Sequence, residues 1–440
     1  MPGSAEARRL PWPQPGRYTA ALHWDAHSST LTGRERIAFV NGGPRALESV
    51  WLRVWPNGYG SCARPWARVA IAAGGRADGW TAGCTALRVR LTTPVEPGAS
   101  GALRLRLHVE VPRTSNRFGQ DGGVVYLGNA LPLLAVDEAS GPVLEPYTDL
   151  GDPFYSLSAA WSVRLDVPVG LTAATTGTTL SRRDVGDRTK RLRIEAPQSR
   201  DFAIVLGRFS VKSVRTASGV LLRRYSARGN ERRAAKVTLD VARAAIDTYT
   251  SWYGSPGIDE IDVLPGPRSL GGFGSGMEFP GLVLSPDVAQ TVAHELAHQW
   301  WYSLVGDDQW RSPWLDEAFA EYSARRLPEA VVGPDELTCD DADPVGSYGG
   351  HGPLTAPMSH WDAVGGDEYY RSVYLGGACA LRLLEDGIGP DAMTAFLRSY
   401  AASHRLGVTT TGDFVAALRA AAPAGFDVDG YLKRARITEP

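Results

Sequence analysis

The sequence has little lysine, few cysteines and no long apolar run, and each shortage excludes a class of protein. Four lysines stand against 42 arginines, the charges nearly cancel to a formal net charge of −2, and the basic residues read as scattered along the chain. A nucleic-acid binder carries a basic face that neutralises phosphates, so no nucleic acid is expected as a partner. Four cysteines in 440 residues, none in a CxxC pair, are too few for a disulfide scaffold and offer no cysteine zinc site. Cys62 and Cys84 lie in neighbouring strand-like segments, where spacing leaves a bridge open either way; Cys339 and Cys379 read as free. No stretch approaches the roughly eighteen apolar residues that cross a bilayer, so no membrane span is expected. Met1 to Pro15 holds proline, arginine and glycine but not the apolar centre of a leader. The chain as given therefore reads as cytoplasmic, or as secreted if it is a trimmed mature form.

What is present is enough for two cores. A chain of 440 residues, 43% hydrophobic, exceeds the size of a single compact domain. From Tyr18 to about Val211 short strands follow one another between Gly, Pro, Asn and Asp. Leu103, Leu105, Leu107, Val109 and Val111 alternate with Arg104, Arg106, His108 and Glu110, the period of a strand with one wet face. Such a series predicts an antiparallel sandwich or saddle of sheets. After about Phe209 the pattern changes. Ala235, Leu239, Ala242, Ile246 and Tyr249 recur at helical spacing within Glu231 to Tyr253, and a short apolar strand, Ile261 to Leu264, precedes a Gly-rich stretch. Ser285-Pro286-Asp287 has the composition of a helix start and predicts a helix over about 286–304. Ser312-Pro313 predicts another over Trp314 to Leu327, and the rest is mostly helical text broken by a loop from about Asp341 to Gly366. The expectation is an α+β multidomain chain: a tail over 1–16, a β domain over 17–209 and an α/β domain over 210–440.

The chemistry concentrates in His294-Glu295-Leu296-Ala297-His298. Residues four apart on a helix lie one turn above each other, so both imidazoles reach one metal ion while Glu295 stands beside it. Val292, Leu296 and Trp300 are available for the buried side of the same helix. A catalytic zinc site takes three protein ligands and leaves the fourth position to water, so one further ligand is expected. Glu317 follows His298 after eighteen residues, one turn into the second helix; Glu321, a turn further on, reads as a surface glutamate.

HELAHQWW and WLDEAFAEY at this interval resemble the gluzincin aminopeptidases, the family of aminopeptidase N and leukotriene hydrolase. Asp316 and Ala318 stand where that family has Asn and Gly. The resemblance implies a thermolysin-like catalytic domain, one zinc ion held by His294, His298 and Glu317, and Glu295 as general base. Ser275-Gly276-Met277-Glu278-Phe279 is similar to the family's GxMEN segment. That similarity implies substrate binding by Gly276, Met277 and Glu278, with the Glu278 carboxylate taking the free α-amine of a peptide. Tyr374, in a stretch similar to YEKG with Gly376 in place of Lys, is implied to support the oxyanion, with Tyr369 and Tyr370 as competitors. Asp149 to Tyr155 resembles the end of the family's first domain, although an acidic turn before a strand accounts for most of that likeness. Trp300, Trp301 and Trp314 read as core, and His351 and His360 as solvated. Larger members continue into a helical domain, so a short, bacterial-type member without it implies a more open cleft.

The resulting expectation is hydrolysis of the N-terminal peptide bond of peptides with a free α-amine. A metalloendopeptidase on the same site, leukotriene-type epoxide hydrolysis and a non-catalytic peptide-binding protein are the alternatives. Oligomeric state and the preferred N-terminal residue are not legible.

Overall fold

The computed structural model describes residues 12–114, 116–227, 233–267 and 276–438. Most of the expected N-terminal tail and Ser275 lie outside them.

The alternating segments of the first half do become strands. β1 (Gln14–Asp25), β2 (Thr30–Val40), β3 (Ala67–Ala73), β4 (Ser100–Glu110), β5 (Ala159–Pro168), β6 (Thr178–Asp184) and β7 (Thr189–Ser199) form one sheet in the order β6-β7-β5-β1-β2-β4-β3. Leu103, Leu105, Leu107 and Val109 turn inward and are buried, while Arg104 and Arg106 face out. The sheet is mixed: β1 and β5 run parallel, and the other neighbours antiparallel. A parallel pair requires a long crossover, and the chain between Asp25 and Ala159 supplies it. Two four-stranded sheets, one containing Leu47–Arg53 and Ala86–Val95 and the other Val124–Leu127 and Ile204–Gly207, share a core with the inner face of the large sheet. Tyr18 stacks on Trp161 at 4.2 Å between ring centroids in that core.

In the second half β8 (Phe209–Arg215), β9 (Leu221–Ala227), β10 (Glu260–Leu264) and β11 (Leu282–Leu284) pair in sequence order. The pair β8 and β9 is antiparallel, and the next two pairs are parallel. Helix α1 (Arg233–Tyr253) connects β9 to β10 and buries Leu239, Ala242, Ile246 and Tyr249, the face that the helical spacing indicated. Ala235's side chain lies outside the described residues. Helices α2 (Ala289–Ala297), α3 (Trp314–Arg325), α4 (Gly376–Ile388), α5 (Pro390–Ser403) and α6 (Thr411–Ala421) pack around Trp300, Trp301, Trp314 and Phe319. Helix α4 comes close to α3 because Gly377 has no side chain where Ala318 projects. We propose the division between the two halves at the start of β8.

Two local readings change. The helix expected over 286–304 spans only Ala289–Ala297, with Val288 rather than Ser285 at its N-cap position. Ser285 is drawn into the sheet, its N–H donating to Leu264 O at 2.8 Å, and Asp287 is drawn to Arg224 at 2.6 Å. Beyond Ala297 the chain unwinds, and Tyr302 takes a left-handed backbone angle, φ 125°. Fully buried Arg200, from the first half, holds that turn by donating to Tyr302 O at 2.7 Å, while Tyr302 Oη donates to Asp201 at 2.5 Å. The second change concerns the cysteines. Cys339 and Cys379, expected to be free, are bridged with Cα atoms 5.4 Å apart, and Cys62 and Cys84 are bridged at the same separation. Forty residues separate the first pair; only the return of the segment after α3 onto α4 brings them together. No helix among the described residues is long and apolar enough to cross a membrane.

Candidate metal centre

His294 sits in the last turn of α2 and His298 at its C-cap, and both are buried. Helix α3 brings Glu317 against them. His294 Nε2 lies 3.1 Å from Glu317 Oε2 and 3.1 Å from His298 Nε2, and His298 Nε2 lies 3.4 Å from the same oxygen. These are the residues that the two motifs singled out, and among the described residues they form the one group of three potential ligands so placed.

The arrangement fits a zinc ion. Four donors at about 2.0–2.1 Å in a tetrahedron lie about 3.3 Å apart, close to the separations found. The tautomers fit as well. His294 Nδ1 is 2.8 Å from Glu321 Oε2 and His298 Nδ1 is 2.9 Å from Trp301 O, acceptors that require the ring hydrogen at Nδ1. Each neutral ring then turns its Nε2 lone pair inward, towards the other ring and a carboxylate. Three electron-rich atoms within 3.4 Å need a positive charge among them. Without a metal that charge is a proton: burial opposes it, but hydrogen bonds to Glu317 and Glu321 prevail and raise the His294 pKa well above its usual value.

The unwound end of α2 acquires a purpose here, since a continued helix would commit Trp301 O to its own ladder rather than to His298. Glu321, read as a surface residue, is buried and joined to Arg325 Nε at 2.6 Å. It lies one turn beyond Glu317 on the same helix face, the signal that would have marked it. Metal-bound histidines are oriented by such partners, and so Glu321 belongs with the site.

A ring of acidic groups surrounds the cluster. Glu278 is buried, accepts from Gln309 Nε2 at 2.9 Å, and is pushed up to about 7 by burial, with Glu317 and Glu295 adding to the shift and His298 opposing it. The same Gln309 nitrogen donates to Asp316 Oδ2 at 2.7 Å, and Asp316 Oδ1 accepts from Glu317 N–H at 2.7 Å. Gln309 thus ties Glu278 to the residue beside Glu317, a link that sequence gave no means of finding. Glu295 is also buried and pushed up to about 7, chiefly by desolvation. Gly276 packs directly on its carboxyl, leaving no room for a Cβ, so the Gly276-Met277-Glu278 segment is brought to the base. Asp152, in the acidic turn, forms a buried pair with Arg117 and is raised to about 7 by burial, against the pull of Arg117.

Tyr374 lies in a π-helical turn, Tyr370–Leu375, the kind of wide turn that often marks functional sites. Its hydroxyl donates to Glu317 Oε1 at 2.5 Å, and its ring stacks against His294. Tyr369 is buried behind it and Tyr370 is exposed, so of the three only Tyr374 presents its hydroxyl to the cluster. Gly376 has Val345 O 2.8 Å from where a Cβ would sit, which accounts for the missing lysine. Phe279 is buried against Gly128 of the first half and serves packing between the halves. Trp300, Trp301 and Trp314 are core, and His351 is exposed.

Residues 284–434 match the peptidase family M1 domain. That stretch, about a third of the chain, carries His294, His298 and Glu317. Aminopeptidase M1 of Arabidopsis thaliana is 25% identical over 290 residues, which cover 60% of this chain and 32% of the plant protein. Aminopeptidase N of Lactobacillus helveticus is 29% identical over 248 residues, 50% of this chain and 29% of the relative. The chain therefore spans about a third of the length of the curated relatives it matches. The M1 zinc metallopeptidase of Deinococcus radiodurans superposes with a TM-score of 0.71 at 20% identity, covering 98% of this chain and 96% of that one. A mutant of a two-domain M1 zinc metallopeptidase bound to L-arginine gives the same TM-score at 19% identity, covering 98% and 96%. These likenesses show the two-domain fold alone, a β-rich first half and an α/β second half with a helical bundle.

Proposed function

We propose that the chain is a zinc-dependent aminopeptidase that removes the N-terminal residue of peptides with a free α-amine. The observation that carries the reading is the placement of a second buried carboxylate, Glu278, beside the His294, His298 and Glu317 cluster through Gln309 and Asp316. A metalloendopeptidase needs the cluster alone. An exopeptidase also needs a fixed anion for the ammonium, one residue before the scissile bond.

His294, His298 and Glu317 would hold the zinc, which when bound supplies Lewis acidity and lowers the pKa of water towards about 7. Glu295 accepts the proton of the attacking water at its carboxylate and returns it to the leaving amine. Glu278 orients the substrate by its amino end, with Gly276 and Met277 forming the adjoining wall. Tyr374 Oη turns from Glu317 to donate to the carbonyl oxygen as that oxygen gains charge. Gln309 and Asp316 hold Glu278 and Glu317 at a fixed separation.

Four paired cysteines also support an oxidising compartment over the cytoplasm.

The test pairs one peptide with its N-acetylated form. The free peptide is cleaved and the blocked one is not, and Glu278→Gln loses most cleavage of the free peptide. Equal cleavage of both forms by the wild type would assign an endopeptidase; no turnover by zinc-replete protein would assign a binding protein.

A further inference from the structure

Outside the metal centre, a trough of about 750 Å³ lies on the outer face of the seven-stranded sheet. Arginines read as scattered in the sequence converge there, and eight of them line it. The strand register shows why. Arg34 on β2 stands directly opposite Arg106 on β4, and Arg36 opposite Arg104. On the other side Arg164 of β5 faces Arg193 of β7, and Arg183 of β6 faces Arg191 of β7. Between these two walls runs β1, whose outward residues Thr19 and Ala21 are small and leave a floor.

Like charges directly opposite on neighbouring strands destabilise a sheet unless something neutralises them. The protein supplies little. Arg191 is held by Asp166 at 2.7 Å, and among the described residues Arg193 has only Glu195 at 3.9 Å. Asp166 also draws on Arg164, and among the described residues no carboxylate forms an ion pair with Arg34, Arg36, Arg104, Arg106 or Arg183. Among the described residues the one acid along the lining is Glu35, which turns into the core, where its carboxyl oxygens have no hydrogen-bond partner.

We propose that this trough is a binding site for a short oligophosphate, an anion carrying three or more negative charges on adjoining phosphate groups. Guanidinium forks match phosphate oxygens in pairs. The volume suits a small ligand and is far below that of a nucleic-acid duplex. Among the described residues no aromatic side chain lines the trough, so they offer no stacking platform of the kind that single-stranded nucleic acid uses. The strands under the centre of the trough, β5, β1 and β2, are paired on both sides, so its floor offers a peptide strand no free edge. An acidic peptide carries one charge per residue, about 3.3 Å of chain, and neutralises such a set over a greater length than adjoining phosphates do.

Calorimetric titration with sodium tripolyphosphate tests this on wild-type protein, on Arg34→Gln/Arg106→Gln and on Arg36→Gln/Arg104→Gln. Tripolyphosphate also competes for divalent metal, so the difference between proteins is the readout. One equivalent binds the wild type, more weakly as salt is raised, and each double variant loses on the order of tenfold or more in affinity. The variants unfold without ligand at or above the wild-type temperature, since repulsion has been removed. Unchanged affinity in both variants, or no saturable binding to the wild type, overturns the assignment. So does tighter binding of hexaglutamate or of a sulfated oligosaccharide, or lowered ligand-free stability in both variants.

Discussion

Replacing Glu321 by glutamine keeps the shape of the side chain that orients His294 but removes its charge. In the native arrangement Glu321 Oε2 receives His294 Nδ1–H at 2.8 Å in a buried setting, where a hydrogen bond to a charged group is worth about 1.5–3 kcal/mol against about 0.5–1.5 for a neutral one. The difference, about 1–2 kcal/mol, is lost from the basicity and fixed orientation of the His294 ligand, so zinc binding should weaken roughly 5- to 30-fold. Arg325 gives up its bond to Glu321 but retains Asp335 at 3.0 Å, so the metal-free variant should unfold close to the wild type. Competition for zinc against a chromogenic chelator reads the affinity, and thermal unfolding in excess chelator reads the metal-free stability. An unchanged zinc affinity refutes the role given to Glu321. Weaker binding accompanied by an equal loss of metal-free stability assigns it to the helix rather than to the metal.

Other consequences are equally direct. Glu295→Gln retains zinc while kcat falls about 100- to 10,000-fold; a metal-loaded variant of near-normal turnover removes the base. Because burial lifts both Glu278 and Glu295 to about 7 and a peptide α-amine titrates near 8, kcat/KM should fall steeply below about pH 7, as the two carboxylates are protonated, and fall again above about pH 8, as the ammonium is lost. Glu278→Gln should leave a shallower acid limb, that of Glu295 alone; a limb as steep as the wild type's excludes Glu278 as a contributor. Glu35 is buried without partners and its pKa is raised, so its contribution to stability is full below the unfolded value near 4.3 and is lost as pH rises towards the folded value. Glu35→Leu should therefore stabilise the protein by about 1–3 kcal/mol at pH 8, a few degrees in Tm, and less at pH 4; equal gains at both pH values contradict this.

The parts of the molecule written in local pattern were legible. Alternation along Leu103 to Val111 identified an inner and an outer face, and the spacing from Leu239 to Tyr249 identified the buried side of α1. The intervals within His294 to His298, and from there to Glu317, selected three residues whose donor atoms converge. What failed depended on contacts from distant chain. The end of α2 is set by Arg200 and Asp201, about a hundred residues away, so a reading confined to 286–304 extended the helix too far. Glu321 looked superficial because its burial is decided by α2, and Cys339 looked free because its partner lies forty residues on, in α4. The arginine face escaped notice for a similar reason: strand register, not sequence distance, sets Arg34 beside Arg106 and Arg164 beside Arg193.

The central claim is that two imidazoles and one carboxylate share a single divalent ion. Elemental analysis of protein dialysed against trace zinc, alongside the Glu317→Ala and His298→Ala variants, tests it most directly. One zinc per wild-type chain, with retention falling sharply in both variants, is the predicted result; wild-type protein without zinc, or variants that retain a full equivalent, would contradict it.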